Sequence, residues 1–386
     1  MARLLTLPRE VLESILLDID ETDRAMLAVT YVSSRLHEVA MPLLFRRIRV
    51  RGLHCLKQIQ PALTRYGPHI ISLEVDLSTP KRWTDGNTDQ LDAYACCHRL
   101  FRSAERLAEI EIDLHDLSLE QMCTLYHQLA ALPRLGTFSL FSRYPRTELY
   151  PPPTNLSDVL EGLSQSRSLQ CVQHYVEDAV HYVPTAVPLH LTTLELCLDN
   201  ADALRTAQLF AQMPRLTSLR IDLEGCLWDQ TDFELALSTS PATLRRLLLY
   251  ANYPLLYDGC FGHLFVRYTS LTDLGLPAGA LDEANIHTLP NSLVSLEISF
   301  DKAFPFSAFA QLLRHRLPHL RKLEVNRDLD WFVEDEDWAA KPVSADQRMQ
   351  SGLDAIKVRR HYGRFLPMLI SSQTICHLRG IEYIHV

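Results

Sequence analysis

Leu244-Arg-Arg-Leu-Leu-Leu-Tyr-Ala-Asn252 is the stretch that decides how this sequence folds. Leu244, Leu247 and Leu249 carry an apolar-x-x-apolar-x-apolar pattern. In an extended chain successive side chains alternate between faces, so Leu247 and Leu249 point one way and the residues around them the other. The same pattern returns downstream at Leu271, Leu274, Leu276, at Leu293, Leu296, Ile298, and at Leu320, Leu323, Val325. Upstream it stands at Leu216, Leu219, Ile221, at Leu191, Leu194, Leu196, at Leu135, Phe138, Leu140, at Leu107, Ile110, Ile112, and at Ile70, Leu73, Val75. Leu169, Val172, His174 is a poor copy, because a histidine takes an expected core position.

From Leu169 onward the copies lie 22 to 28 residues apart, within the period of about 20–29 residues of a leucine-rich repeat. Only Leu244–Asn252 carries the full form with its closing asparagine, so the repeats are degenerate. The segments between copies have helical signals. Ser118-Leu-Glu-Gln121 has the form of a capping box and opens a stripe of Met122, Leu125, Leu129 and Leu132. Thr231-Asp-Phe-Glu234 repeats the capping signal, and Phe306, Phe309, Leu313 and Leu317 form another stripe. Leu132-Pro133, Met213-Pro214 and Leu317-Pro318 each precede a strand leucine, and proline there stops the helix. A unit of strand, loop, helix and stop cannot bury its leucines alone and must stack on its neighbours.

Residues 1–48 do not fit the repeat. Thr6 can cap a first helix with Pro8 in its first turn, and Val11, Leu12, Ile15 and Leu16 share one face. A second helix is expected from Asp23 to about Tyr31, with Leu27 and Val29 buried. A third runs from Ser34 through Leu36, Val39 and Ala40, and Pro42-Leu43-Leu44-Phe45 ends the segment. Three short helices make a marginal core that a partner usually completes.

Leu7-Pro8-x-Glu10-Val11-Leu12-x-x-Ile15-Leu16, Val32-Ser33-Ser34-Arg35-Leu36 and Pro42-Leu43-Leu44-Phe45-Arg46-Arg47-Ile48 together resemble an F-box, with Phe45 where many members carry tryptophan. The whole resembles F-box proteins with degenerate C-terminal leucine-rich repeats, especially the divergent fungal ones. The resemblance implies the substrate-recognition subunit of a cullin-based, SCF-type ubiquitin ligase, non-catalytic itself. Its F-box would dock on a Skp-type adaptor, and through it a cullin, while the repeats bind a target protein for ubiquitination. The adaptor contacts implied are Leu7, Pro8, Val11, Leu12, Ile15 and Leu16, some of which are equally suited to the module's own core.

The expected fold class is therefore α/β: a small N-terminal three-helix F-box followed by a curved leucine-rich-repeat solenoid, with parallel strands on the concave side and helices on the convex side. The boundaries are 1–48 for the F-box, 49–69 for a linker or capping helix and 70–326 for the solenoid. An acidic-aromatic loop spans 327–350 and a C-terminal cap 351–386, in which Leu378-x-x-Ile381-x-Tyr383 suggests one more strand. Tyr150-Pro-Pro-Pro153 reads as a rigid break between repeats.

The residues between the template positions line the face open to a partner. Glu74, Glu109, Glu111 and Glu195 make its early part acidic. Arg220, Arg245, Arg246, Arg321 and Lys322 make the later part mixed, with Asp273, Glu297 and Glu324 between them. Asp328–Trp338 adds six acidic residues with Trp331, Phe332 and Trp338. It suits either a recognition loop for a basic peptide or a cover for the end of the stack. Candidate substrate-binding residues are Glu109, Glu111, Glu195, Arg220, Arg245, Arg246, Trp331 and Trp338.

Composition narrows the classes further. Leucine supplies 68 of 386 residues, and the formal net charge is −9, which argues against a nucleic-acid partner. No run of about 18 apolar residues suits a membrane span, and no extended apolar segment near the N-terminus suits a secretory signal. The nine scattered cysteines, with no Cys-x-x-Cys, read as reduced thiols of a protein in the cytoplasm and/or nucleus. Arg359-Arg360 is too short for a nuclear signal.

No catalytic, cofactor or metal set is evident. His315-x-x-x-His319 has Pro318 inside it and no third ligand, and Cys376-His377 points to opposite sides. Walker A, G-x-G-x-x-G and G-x-S-x-G are lacking. Two alternatives stand beside the ligase subunit: a leucine-rich-repeat protein-interaction scaffold acting outside a ubiquitin ligase, and an enzyme with an unrecognised site.

Overall fold

The structure is a computed structural model. It describes residues 7–18, 28–77, 87–113, 117–141, 155–178, 182–198, 202–223, 228, 230–251, 262–283, 285–300, 304–327, 376–377, 379 and 381–385. The chain divides into two compact units, Met1–Arg215 and Leu216–Val386.

The first unit carries strands β1 (Arg47–Arg51), β2 (Ser72–Asp76), β3 (Glu109–Asp113), β4 (Thr137–Phe141), β5 (Cys171–Asp178) and β6 (Thr193–Leu198). Each pairs parallel with the next in sequence order. The second unit repeats the plan with β7 (Ser218–Asp222), β8 (Arg246–Tyr250), β9 (Asp273–Leu276), β10 (Ser295–Phe300), β11 (Lys322–Arg327) and β12 (Glu382–His385). Parallel strands in sequence order, returned by helices, give each unit leucine-rich-repeat character.

The apolar template sets the register. Leu73, Ile110, Phe138, Val172 and Leu194 lie side by side across β2 to β6. Leu219, Leu247, Leu274, Leu296 and Leu323 do the same across β7 to β11. All ten are buried. A slip of one residue in any strand would turn its whole apolar set to the open face. The turn before each strand is locked as well. One carbonyl accepts two successive N–H groups of the next repeat, at Arg46, Ile71, Ala108, Gly136 and Gln170 in the first unit and at Thr217, Arg245, Thr272 and Val294 in the second, over 2.7–3.1 Å.

The helices carry the other side of each repeat. Leu119–Ala130 starts at Ser118, whose hydroxyl accepts from the Gln121 N–H at 3.3 Å while the Gln121 side chain accepts from the Ser118 N–H at 2.9 Å. Its Met122, Leu125 and Leu129 are buried. The same reciprocal cap recurs at Asn155 and Asp158, which open Leu156–Gly162. That helix lies close to its neighbour. A Cβ built on Gly162 would fall 2.7 Å from the Tyr126 Cβ, so only glycine fits there. Replacing Ser118 by alanine is expected to lower stability by about 1 kcal/mol, read as a fall in the urea midpoint with an unchanged slope. An unchanged midpoint would remove the cap from the account.

Several expectations are corrected. The stack begins at β1, within what spacing assigned to an N-terminal module and linker. Phe45, Ile48 and Val50 form an unnoticed copy of the template, and Phe45 stacks on Tyr66 with ring centroids 4.7 Å apart. The helix expected to end near Pro42 instead runs Ser34–Leu44 through that proline, which costs one backbone bond and leaves the rest of the ladder intact. Pro8 precedes the first helix, Arg9–Asp18, and its carbonyl accepts from the Leu12 N–H at 3.1 Å. Thr231 is no cap, because its helix already includes Gln230. β12 aligns Tyr383 with Leu323 and His385 with Val325. This is two residues from the register the Leu378-Ile381-Tyr383 spacing suggests. His174, the poor copy, is buried, and the β5–β6 register shifts directly after it.

Thr6, most of the expected second helix, Tyr150–Pro153 and Asp328–Trp338 lie outside the described residues. Residues 28–30 are helical.

Candidate interaction surfaces

Two places carry the candidate residues: the N-terminal helices and the open strand faces. The helices Arg9–Asp18 and Ser34–Leu44 enclose a small core of Leu12, Leu16, Leu36, Val39, Ala40 and Leu43, with Leu7 and Val29 packed against it. Ser33 caps the second helix by accepting from the Leu36 N–H at 3.2 Å. The Arg35 guanidinium donates to the Leu7 carbonyl at 2.6 Å and ties the chain entry to that helix. The predicted contact stripe is thereby divided. Leu12 and Leu16 are core, Leu7 and Ile15 are half-buried, and Pro8 and Val11 are exposed. Tyr31 and Val32 are exposed as well, Tyr31 at 82%.

On the first unit's open face, Arg49, Glu74, Glu111, Ser139, Gln173 and Glu195 stand in one row across β1 to β6. Arg49 is ion-paired with Glu74. Glu109 is exposed one row away, beside Ser72 and Thr137. The Ser139 hydroxyl donates to Gln173 at 2.5 Å. Tyr175 donates to Glu195 and stacks on Phe141 at 4.8 Å. Burial, reinforced by Glu195, pushes the Cys171 thiol up to about 11.

The second unit's open row runs Arg220, Leu248, Gly275, Glu297 and Glu324 across β7 to β11. The Arg220 guanidinium sits 4.6 Å from the centre of the Tyr250 ring. Tyr250 reaches from β8 over β9 to β10, where its hydroxyl donates to Glu297 at 2.9 Å. Gly275 lies under the Leu248 side chain, and a Cβ there would fall 2.9 Å from the Leu248 Cδ2. Burial first, and then the Glu297 charge, hold the Tyr250 phenol above its ordinary value, so it stays a donor. Lys322 is paired with Glu324 at 2.8 Å.

A cavity of about 340 Å³ opens on this face, lined by Arg246, Leu248, Asp273, Val294, Glu297 and Lys322, among others. Of the predicted basic residues, Arg220, Arg246 and Lys322 reach this face. Arg245 belongs instead to the turn before β8, where its carbonyl serves the ladder. Trp331 and Trp338 lie outside the described residues.

Spacing alone missed Tyr175, Tyr250, Leu248 and Gly275. A signal was present. Each tyrosine directly follows a template strand's last core position, His174 or Leu249. Leu248 and Gly275 are non-polar residues where the pattern calls for polar ones.

Among the described residues no group of three His, Cys, Asp or Glu is placed to hold a metal ion. The helix containing His315 ends at that residue, so His319 does not share its face. No described helix is long and apolar enough to cross a membrane.

No family model matches the sequence, and no curated protein is significantly similar to it. Among solved structures, the chain is similar to internalin C2 of Listeria monocytogenes, at 15% identity over 53% of this chain and 75% of that one, with a TM-score of 0.31. The repeat character of the chain rests on its own strand register.

Proposed function

We propose that this chain is a non-catalytic protein-binding subunit whose N-terminal helices dock on a Skp-type adaptor of a cullin-based ubiquitin ligase and whose strand faces hold a target protein. The observation that supports this reading most is the division of labour in the first helix. Leu12 and Leu16 hold the helical pair together, while Val11 remains exposed on the same short element and Pro8 just before it. A module with so small a core has apolar surface left for a partner groove, the usual mode for an amphipathic helix. The F-box-like order of Leu7-Pro8, Val32-Ser33 and Pro42–Ile48 supports the choice of adaptor.

The mechanism is proximity. A target held on the strand faces presents its lysines near the conjugating enzyme at high effective concentration. Such a subunit works in the cytoplasm and/or nucleus, with no cofactor, metal, nucleic acid or membrane of its own.

Affinity purification of the full chain under proteasome inhibition tests adaptor and target together. The expected result is co-purification of the adaptor, its cullin and at least one further protein that accumulates when the chain is deleted. Recovery of other proteins without adaptor or cullin would favour the second reading, an interaction scaffold outside any ligase. The open rows on both units, which carry polar and charged side chains, support that reading equally.

A further inference from the structure

The first strand of the stack is charged unlike the strands beside it. β1, Arg47-Ile-Arg-Val-Arg51, has three arginines and no acid, whereas β2 and β3 are acidic. Four arginines fall within residues 46–51, and no Asp or Glu occurs from 39 to 73, in a chain of net charge −9. Alternation puts Arg47, Arg49 and Arg51 on the open face, where all three are exposed, and Ile48 and Val50 on the core side.

The backbone of β1 is engaged on one side. The Arg46 carbonyl accepts from the Ser72 N–H at 2.9 Å. In a parallel ladder this fixes Arg46, Ile48 and Val50 as the residues that bond to β2. The N–H and C=O groups of Arg47 and Arg49 therefore point to the opposite edge, where no described strand pairs with β1. Ile48 marks the same edge from the core side. It is half-buried, while its row from Leu73 to Leu194 is buried.

We propose that the outer edge of β1 takes up an extended peptide of the target as an added strand, with acidic residues at alternate positions. The inference rests on the assignment of the strands to target binding and adds the chemistry of the target. The peptide backbone bonds to the outward groups of Arg47 and Arg49, the usual mode of strand addition. Peptide residues opposite the arginines lie on the open face and carry Asp or Glu. Those between them lie beside Ile48 and are apolar. The recognised pattern is acidic-apolar-acidic-apolar-acidic, and Gly52, at a φ of 80°, ends the strand that reads it.

The neighbours on β2 do not exhaust these cations. Arg49 pairs with Glu74 through its Nε, and a guanidinium keeps further N–H donors for a second carboxylate. Arg51 stands opposite Asp76, and Arg47 opposite Ser72. Opposite charges directly across a strand pair attract and like charges repel, so the same edge disfavours pairing with a second copy of itself.

The test titrates the full chain against three labelled peptides: Glu-Val-Glu-Val-Glu, its permutation Glu-Glu-Glu-Val-Val, and Lys-Val-Lys-Val-Lys. The alternating acidic peptide is expected to bind saturably, the permutation at least about threefold more weakly, and the lysine peptide not at all. Amide exchange at Arg47 and Arg49, read by mass spectrometry, is expected to slow when the acidic peptide is bound. Arg47→Glu with Arg51→Glu is expected to weaken binding about tenfold, and the milder Arg47→Gln about twofold.

No binding of the acidic peptide would make the arginines guards of an unused edge and overturn the proposal. Equal binding of the permutation, or binding without slowed exchange at Arg47 and Arg49, would reduce it to attraction by charge alone and overturn it too. So would tighter binding of an oligothymidylate than of the peptide, or unchanged peptide binding in both variants, each shown folded by a thermal melt. Adaptor capture on the same preparation separates the two claims. Peptide binding without capture would overturn the ligase reading and leave the edge site standing, and capture without peptide binding would overturn the edge site alone.

Discussion

Leu247→Asp is expected to unfold the second unit. Leu247 is fully buried, in register between Leu219 and Leu274. Truncation of such a leucine to alanine costs about 2–5 kcal/mol through lost transfer energy and the cavity left behind. An aspartate adds an unpaired charge among leucines, and the total reaches the whole stability of a typical domain, about 5–15 kcal/mol. Stacked repeats depend on nearest-neighbour contact, so the loss passes from β8 to β7 and β9.

Arg246→Asp, one residue away and exposed, is expected to change stability by under about 0.5 kcal/mol. The pair therefore tests strand alternation at a single step. Urea unfolding followed by circular dichroism reads it, with Leu247→Ala as the variant mild enough to keep a measurable transition. Similar midpoints for Leu247→Ala and Arg246→Asp would place β8 in the wrong register.

Val11→Asp is expected to abolish or strongly weaken adaptor capture while the chain stays folded. Val11 is 42% exposed on a helix whose neighbours Leu12 and Leu16 are core. A charge placed in a desolvated apolar groove costs about 2 kcal/mol or more, about thirtyfold in affinity. Leu12→Asp is also expected to lose capture, but by collapse of the helical pair. Its loss therefore says nothing about the interface, although sequence spacing ranks Leu12 and Val11 as equal contact candidates. Capture by immobilised adaptor, with a thermal melt of each variant, distinguishes them. A folded Val11→Asp chain that still binds at wild-type strength would remove this helix from the docking surface.

Much of the fold was legible in the sequence because the repeat writes its core into spacing. Leu73, Leu219 and Leu323 each fall where the pattern puts them, since a slip of one residue would expose a whole apolar set. Misreadings occur where two signals compete. Phe45-x-x-Ile48-x-Val50 carries the template, but it overlaps the segment that resembles the end of an F-box, and the two signals compete there. Pro42 is a breaker by rule, yet packing of Val39, Ala40 and Leu43 carries the helix past it. β12 has weak copies two residues apart, and pairing with β11 selects one.

The candidate site was legible only in part. Spacing identified which strand residues face outward, and so found Arg220, Arg246, Glu111 and Glu195. It could not identify a recess, because that depends on which residues of neighbouring strands and turns come together, such as Arg246, Asp273, Val294 and Lys322. Those relations follow from register and reach rather than from the residue types in any one repeat.

The most direct test of the account is to mix the purified full chain with a purified Skp-type adaptor and measure the mass of the product by light scattering after size exclusion. The account predicts a one-to-one complex that Val11→Asp dissociates. Elution of the two proteins as separate species, with the wild-type chain folded, would contradict it.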